Sequence, residues 1–581
     1  MQPNTTATVA QRLLEISAGL GVDYLFTNLG SDHPAFIEAF ARMQQSGGAA
    51  PRVIVCPHEM TALSAAHGYA MITRRPQMVL VHVDVGTQNL GGSVHNAARG
   101  RVPAIILAGL SPVTERGGPA GARNEFIHYI QDAPRQPEIV AQYMKWSYEL
   151  RAPESLEAVL RRAVQISTTS PEGPVYITGA REIWEAAAPA VKEAGEAEHW
   201  PPAATAGLTT EAAAELYQWL IQARRPIVIT SYLGRQRRAV DLLVQLSERI
   251  GIGVCEASPA YLNFPGSHPH HLGYRRNSFV DEADLILMLD LDVPWIPAKI
   301  QPAREAVLVH IDVDPLKTGL GLWHFPARRV YQADTLAVLE QLTAMAHDAA
   351  ASSTAGRDAR CDWIASKKRE RAPAVQPGGA VSPAISPEEL TEAVRELITE
   401  RSVVLFEAPT CTELIPSILR LSRPGAYYNS GGAGLGWGIN AAIGAKLADP
   451  ASEVVALVGD GCYLFGVPSS AYWAAKTYRT PFLTVIYNNG GWQAPKFSTL
   501  LLHPEGAAKQ NDTFWVTIGA GARLADVAAA AGAAAAFQAN SRETLKATLR
   551  EALEIVRSGR CAVVDAAITP ASTQKLGDPR S

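Results

Sequence analysis

The sequence predicts an α/β protein built from three doubly wound parallel-sheet domains. Three observations carry that expectation: the length, the alternation of short apolar runs with helical stretches, and two Pro-, Ala- and charge-rich breaks. At 581 residues the chain is too long for one hydrophobic core. Hydrophobic residues make up 47% and charged ones 19%, the balance of a globular protein. A net charge of -4 excludes a general basic surface for nucleic acid and leaves small molecules or a second copy of the chain as partners. The six cysteines are scattered and form no C-x-x-C pair, so neither a zinc site nor a disulfide framework is expected. The N-terminal stretch MQPNTTATVAQRLLEISAGLG reads as an amphipathic helix without a basic start and long apolar core, and no later segment approaches membrane-spanning length. A cytoplasmic protein that makes no contact with membrane is the expectation.

Residues 1–185 alternate strand-like runs (DYLFTNLG, MVLVHVDVG, PAIILAG, PVYITG) with helical ones (PAFIEAFARM, EMTALSAAHGYAMI, LEAVLRRAVQIS), a pattern that predicts a parallel sheet covered on both faces. Ala186 to Gly207 reads as a linker. A central block, 208–349, carries PIVITSY, ADLILMLDLD and AVLVHIDVD. A second connector with one short helix is expected from Ala349 to Pro387. The third block, 388–581, supplies VVLFEAP, EVVALVGDG, PFLTVIYNN and AVVDAAI as strands, and its run ADVAAAAGAAAAF is expected to be helical.

The third block holds the most informative spacing. Val454 to Val458 reads as a strand, Val467 to Tyr478 as a helix and Pro481 to Tyr487 as a second strand. A right-handed crossover puts both strand ends on one edge, so Asp460 and Asn489, 29 positions apart, converge where parallel sheets bind ligands. One carboxylate and one amide oxygen suit a hard cation such as Mg2+, which completes its octahedron with phosphate oxygens and water. Taken singly, each end reads as a turn. A hairpin at Asn489-Gly490 is disfavoured by the next residues, Gly491-Trp492-Gln493-Ala494-Pro495, which lack strand alternation and contain a proline.

Gly459-Asp460-Gly461 followed at this distance by Asn488-Asn489 resembles the thiamine diphosphate motif shared by acetolactate synthases, 2-oxo acid decarboxylases and related lyases. The resemblance implies Asp460 and Asn489 as Mg2+ ligands with the carbonyl of Gly491 as a third, and a spacing slightly longer than in acetolactate synthases leaves Asn488 as the alternative amide. The stretch Asn429 to Gly436 resembles the segment beneath the cofactor, with Leu435 as the wedge that bends thiamine. As a dinucleotide fingerprint the same glycines lack a ribose-binding acid. Gly432, Gly459, Gly461, Cys462 and Trp492 complete the cofactor contacts that the resemblance implies.

Thiamine chemistry needs a carboxylate at the aminopyrimidine ring, so that the amino group in its imino form removes the thiazolium proton. Glu59, at the start of the helix in HEMTALSAAHGYA, is placed for the macrodipole on position alone. With VDVGTQNLGGSVHNAARGRVPAIILAG after it, the stretch resembles the family's pyrimidine-binding domain, which makes Glu59 the catalytic glutamate. In MVLVHVDVG the alternation puts His82 and Asp84 on one strand face. The register of His82 from Glu59 resembles benzoylformate decarboxylase, which implies an acid–base role. Ser31 and Asp32 follow the first strand, where they read as helix caps or, by resemblance, as substrate-side groups. Gln131 lies where acetolactate synthases carry a substrate-side Phe-Gln pair. Trp492, Gln493 and Lys496 follow the metal loop and would shape the acyl pocket or simply pack.

The resemblance implies an acetolactate synthase-like enzyme that makes or breaks a C–C bond of a 2-oxo acid or acyloin-type donor. The alternative is a 2-oxo acid decarboxylase or a 2-hydroxyacyl-CoA/acyloin lyase, and the last choice a noncatalytic thiamine-binding subunit. A 2-oxo acid, aldehyde or acyl-CoA would be the small-molecule partner. Glu59 of one subunit would reach cofactor held by another, giving a homodimer or homotetramer. The resemblance also allows FAD in the central domain, although no residue identifies it.

Overall fold

The computed structural model describes residues 7–116, 118–189, 200–275, 277–348, 354–370, 384–518 and 521–570. The first sheet is formed by β1 (Tyr24–Thr27), β2 (Arg52–Val55), β3 (Gln77–Val81), β4 (Ala104–Leu110), β5 (Trp146–Leu150) and β6 (Pro174–Ala180), in the order β2-β1-β3-β4-β6-β5. The central sheet is formed by β7 (Pro226–Thr230), β8 (Gly253–Glu256), β9 (His271–Gly273), β10 (Leu285–Leu289), β11 (Val307–Asp312) and β12 (Arg329–Gln332), in the order β12-β11-β10-β7-β8-β9. The third is formed by β13 (Ser402–Glu407), β14 (Tyr427–Tyr428), β15 (Glu453–Gly459), β16 (Leu483–Asn488), β17 (Ala535–Ala539) and β18 (Ala562–Ala567), in the order β14-β13-β15-β16-β18-β17. All neighbouring strands are parallel. Counted from each sheet's own first strand, the first and third share the order 2-1-3-4-6-5, whereas the central sheet, read from β9, has 3-2-1-4-5-6.

Strand residues point alternately into separate apolar layers. Leu25, Met78, Leu80 and Ile105 face an outer layer with the helices Val9–Gly19, Pro34–Ser46 and Leu156–Thr168. Their neighbours Phe26, Val79, Val81 and Ile106 share a layer with Val403, Leu405, Val454 and Ala456, so the first and third sheets are joined by one core. Val404, Phe406, Val455 and Leu457 meet Val228, Leu285 and Leu287 of the central sheet in a third layer. Ile227, Ile229, Ile286 and Met288 face the last. Each such Leu, Ile or Val contributes about 1.5–3 kcal/mol by leaving water. Helices Glu59–Thr73 and Gly438–Ala448 cross in the layer between the first and third sheets, and both are rich in Ala and Gly. A Cβ on Gly444 would lie 1.8 Å from the Ala65 carbonyl oxygen, and one on Gly68 2.2 Å from that of Ala441, so the close approach requires glycine.

The first and central domains are docked by a buried ionic cluster. Arg101 donates from Nη1 and Nη2 to the two oxygens of Asp312 at 2.9 and 3.1 Å and from Nη2 to Asp292 at 3.1 Å, while Lys317 Nζ lies 2.7 Å from Asp312 and 3.1 Å from Asp292. Mutual pairing is what makes burial of these charges tolerable. Among the described residues no helix is long and apolar enough to cross a membrane.

Three sequence expectations change. The strand read through MVLVHVDVG stops at Val81: His82 caps a helix, Val83–Asn89, and Val83 takes φ +24. His82 and Asp84 therefore do not share a strand face, because the chain turns at the sheet edge. The Ala-rich run is helical only over Leu524–Gly532; Ala533, at φ +52, turns the chain into edge strand β17. The helix expected to be short in the second connector is Thr354–Glu370, 17 residues, anchored by buried Ile364 in the outer core of the central sheet and by Arg360, which donates to the carbonyls of Ile250, Ile221 and Ala223. Residues 349–353 and 371–383 of that connector, and 190–199 of the first linker, lie outside the described residues. The first linker begins by returning to the N-terminus, where Ala187 bridges Thr8.

Candidate active site

Two sheet edges carry the candidate residues. On the first, Glu59 opens the helix Glu59–Thr73 after β2 and is 4% exposed. Asn28 donates to Glu59 Oε1 at 3.0 Å and Asn89 to Oε2 at 3.2 Å, so both carboxylate oxygens are oriented by amides. His82 follows β3. Its Nδ1 is 2.5 Å from Asp32 Oδ1, and its Nε2 is 3.0 Å from Gln131 Oε1. Burial opposes a charge on His82, but the hydrogen bond and charge of Asp32, the Gln131 oxygen and Asp84 together raise it above the ordinary histidine value. Glu59 and His82 are near neighbours: a Cβ on Gly86 would lie 3.3 Å from Glu59 Oε1 and 3.4 Å from the His82 Cβ.

Asp32 is 2% exposed, and Ser31 is exposed beside it. Neither caps the helix Pro34–Ser46, whose first flanking residue is His33 and which has no side-chain cap. Sequence reasoning did not single out His33, Asn28 or Asn89. Asn28 and His33 flank the first turn and Asn89 ends the helix after β3, so each is visible as a polar residue beside a strand-end loop but not as a partner.

On the third sheet, Asp460 starts a helix, Asp460–Phe465, directly after β15. Gly461 N–H donates to its Oδ1 and Gly491 N–H to its Oδ2, each at 2.7 Å, which brings the ends of β15 and β16 together. Asn488 turns away: its amide donates to Asp565 at 2.8 Å and its oxygen accepts from Gly490 N–H. Asn489 donates weakly to Thr410 Oγ1 at 3.5 Å, and its buried Oδ1 has no partner. A buried acceptor without a donor is rare in folded proteins. With the nearby carboxylate it fits a hard cation, whereas the Asn488 oxygen is already taken by Gly490 N–H. Gly491 adopts φ +148 against the Val516 carbonyl, 2.1 Å from where a Cβ would sit, so only glycine passes there. Among the described residues no three His, Cys, Asp or Glu side chains could hold a metal by themselves.

Glu407, at the end of β13, is a further residue that sequence reasoning missed. It accepts Gly436 N–H and Gly438 N–H at 2.6 Å each and so pins the loop that carries Leu435. Burial pushes its carboxyl up to about 7, against the pull of those amides and the Cys462 thiol. Its signal was an acid at a strand end, in FEAPT. Asn96 of the first domain grips the same loop, donating to Gly434 O at 2.8 Å and accepting from Gly434 N–H at 2.9 Å. Gly432 packs on Asn96, Leu435 is half-buried, and the Cys462 side chain is buried beneath the loop. Gly459 ends β15. Trp492 N–H donates to Val516 O at 2.8 Å, and its indole lies over Gly461.

Models of thiamine pyrophosphate enzymes match residues 7–139 (N-terminal TPP binding domain), 213–342 (central domain) and 410–566 (C-terminal TPP binding domain). The chain is 26% identical over 501 residues to benzoylformate decarboxylase of Pseudomonas aeruginosa, covering 84% of this chain and 87% of the relative. It is 25% identical to the acetolactate synthase large subunit of Lactococcus lactis, over 78% of this chain and 76% of that one. Its fold matches a thiamine diphosphate-dependent 4-hydroxybenzoylformate decarboxylase from Rhodococcus jostii with a TM-score of 0.78 at 22% identity, covering 97% and 99% of the two chains. These domain matches coincide with the two site-bearing sheets and the sheet between them, and the chain belongs to the thiamine pyrophosphate enzyme family, with thiamine diphosphate as its cofactor.

Proposed function

We propose that this enzyme cleaves 2-oxo acids by decarboxylation, with Glu59 and His82 as its proton-handling groups. The observation that carries the reading is the His82 imidazole, held between Asp32 and Gln131 beside Glu59. Bound thiamine diphosphate supplies a nucleophilic carbon and an electron sink for the bond that breaks. Glu59, oriented by Asn28 and Asn89, would bear on the aminopyrimidine ring and exchange a proton with it. His82, whose Nε2 faces Gln131 Oε1 at 3.0 Å, would deliver a proton from that atom to the reacting carbon. Ser31 is the exposed group at the turn tip and the substrate-side hydroxyl; Gln131 orients His82 and the acyl group.

On the third sheet, Asp460, Asn489 and the carbonyl of Gly491 would hold Mg2+ against the diphosphate. The backbone of Gly459, Gly461 and Cys462 would line it, and Gly432, Leu435 and Trp492 would shape the thiamine side. The orphaned Asn489 oxygen supports this assignment. The carboxyl edge of the central sheet, where this strand order binds dinucleotides elsewhere, carries Arg101, Tyr232 and Lys317 paired with aspartates, and flavin is no part of the proposal. The proposed domains are 1–185, 208–349 and 388–581.

A homodimer, or a tetramer of two dimers, is part of the proposal. Large apolar side chains are exposed on the first domain at Phe126 and Ile130, and on the third at Phe465, Leu502 and Trp515, as at surfaces that become covered. A cytoplasmic setting fits the free thiols. The second reading is acetolactate synthase-like transfer of the acyl group to an aldehyde or a second 2-oxo acid, which the likeness to the synthase supports. The test is incubation of the loaded enzyme with a 2-oxo acid panel that includes benzoylformate and pyruvate, with and without an aldehyde acceptor. Released CO2 and aldehyde that disappear in His82→Ala support decarboxylation; ligated product as the main outcome favours transfer, and His82→Ala at full rate removes His82 from the chemistry.

A further inference from the structure

We infer that Asp32 is a positioning residue that never meets substrate: it bridges His82 and His33 and holds the His82 ring with its proton on Nδ1. The inference rests on the acid–base role of His82 proposed above and assigns what sets that role. Three observations carry it. First, both Asp32 oxygens are committed. Oδ1 takes His82 Nδ1 at 2.5 Å, while Oδ2 accepts Val83 N–H at 3.3 Å and lies 3.2 Å from His33 Nε2. Second, the carboxyl is 2% exposed and His33 is fully buried. Third, the surroundings leave the carboxyl one place to be. A Cβ on Gly109 of β4 would lie 1.8 Å from Asp32 Oδ2, and one on Gly30 2.2 Å from His82 Nδ1.

His33 completes the arrangement. Gly30 N–H donates to His33 Nδ1 at 3.0 Å, which leaves the ring proton on Nε2, facing Asp32. Burial lowers His33 below the ordinary histidine value in spite of the adjacent carboxylate, so it stands as a neutral ring whose Nε2 lies 3.2 Å from Asp32 without a hydrogen bond to it. The backbone N–H of Val83, whose φ of +24 is an outlier for a β-branched residue, points at the same carboxylate, so the strained turn after β3 is matched to Asp32. A histidine whose Nδ1–H is fixed by a carboxylate presents Nε2 to its reaction partner in one tautomer and orientation.

The groups that bear on His82 are Asp32 and Asp84 by charge, Gln131 by hydrogen bond, the His33 ring by edge contact, and Glu59 across Gly86. Two further titratable groups, His128 and Tyr176, interact with Asp32. Only Asp32 both touches the ring and carries charge, so its removal dominates the response.

The experiment follows the His82 ring by histidine-labelled NMR titration of the full-length, cofactor-loaded protein, the resonance being identified by its loss in His82→Ala. Asp32→Asn, which keeps shape and removes charge, is expected to lower the His82 midpoint by about one pH unit or more and to shift the corresponding limb of the kcat profile to lower pH with little change in KM. Gly109→Ala, which displaces the carboxyl without altering any charge, is expected to move the midpoint in the same direction. An unchanged midpoint in both variants, with thiamine diphosphate still bound, overturns the inference. Full activity of His82→Ala together with a shifted midpoint in Asp32→Asn would sink the acid–base role and leave the positioning pair intact, so the two failures are distinguishable.

Discussion

The first and third sheets share one strand order, yet their corresponding edges carry different chemistry. In both, the third strand in sequence ends in a short helix at the centre of the site: β3 leads to His82 and the helix Val83–Asn89, β15 to Asp460 and the helix Asp460–Phe465. At the first edge the polar atoms are paired side chains, Asp32 with His82 and Glu59 with two amides. At the third they are backbone N–H groups around Asp460 and an unpaired amide oxygen on Asn489. One topology thus carries an edge of paired titratable side chains or an edge of backbone N–H groups and an unpaired amide oxygen, depending on whether its loops carry titratable side chains or glycine.

The largest effect that would sharpen this contrast is expected from Glu59→Gln. Turnover should fall by about 10²–10⁴-fold with cofactor retained, as read by steady-state rates and calorimetric titration of thiamine diphosphate; weakened cofactor binding with an intact rate would move Glu59 to the binding edge. Asp460→Ala should act in the opposite way. Mg2+ and thiamine diphosphate affinity should drop together by about tenfold or more, the loss of one charged contact, and unchanged affinity in the same titration would mean that the metal lies elsewhere. Gly444→Ala tests the joint between the two sheets. Its Cβ would meet the Ala65 carbonyl at 1.8 Å, so a loss of about 1–3 kcal/mol is expected, read by denaturant unfolding.

The smallest effect concerns pH. Burial raises Glu407 from 4.5 to about 7 in the folded protein. Between those values the folded state keeps a proton that the unfolded state has released, so the Glu407 contribution to stability falls as pH rises from 4.5 to about 7 and is flat above. Glu407→Gln should remove that slope. Melting curves with equal slopes in both proteins would show that the loop carrying Leu435 is pinned by other groups.

Most central strands were legible as apolar runs because a central parallel strand is buried on both faces and reads as continuous hydrophobic sequence. The strands that were not legible are mostly edges: β2, β5, β9, β12, β14 and β17. An edge has one neighbour and an exposed side, so RVIV, WSYEL and RVYQ carry charge, and YY is too short to show a period. Only the short β8 was missed inside a sheet. Likewise Thr354–Glu370 looked like a charged connector because a single buried face, around Ile364, holds it to the core.

The sequence by itself determined the three α/β sheets and set Asp460 and Asn489 at neighbouring strand ends, since strand periodicity and crossover handedness follow from local chain geometry, whereas Glu59 and His82 became candidates only through the resemblance of their flanking stretches to the thiamine enzymes. Tertiary structure decided what local geometry cannot reach. It turned Asn488 into the core and left the Asn489 oxygen unpaired, buried Asp32 between two histidines, and brought Glu407 under the Leu435 loop. Each of these depends on hydrogen-bond partners distant in the chain, and a polar residue's partner is set by packing in space rather than by its neighbours in sequence.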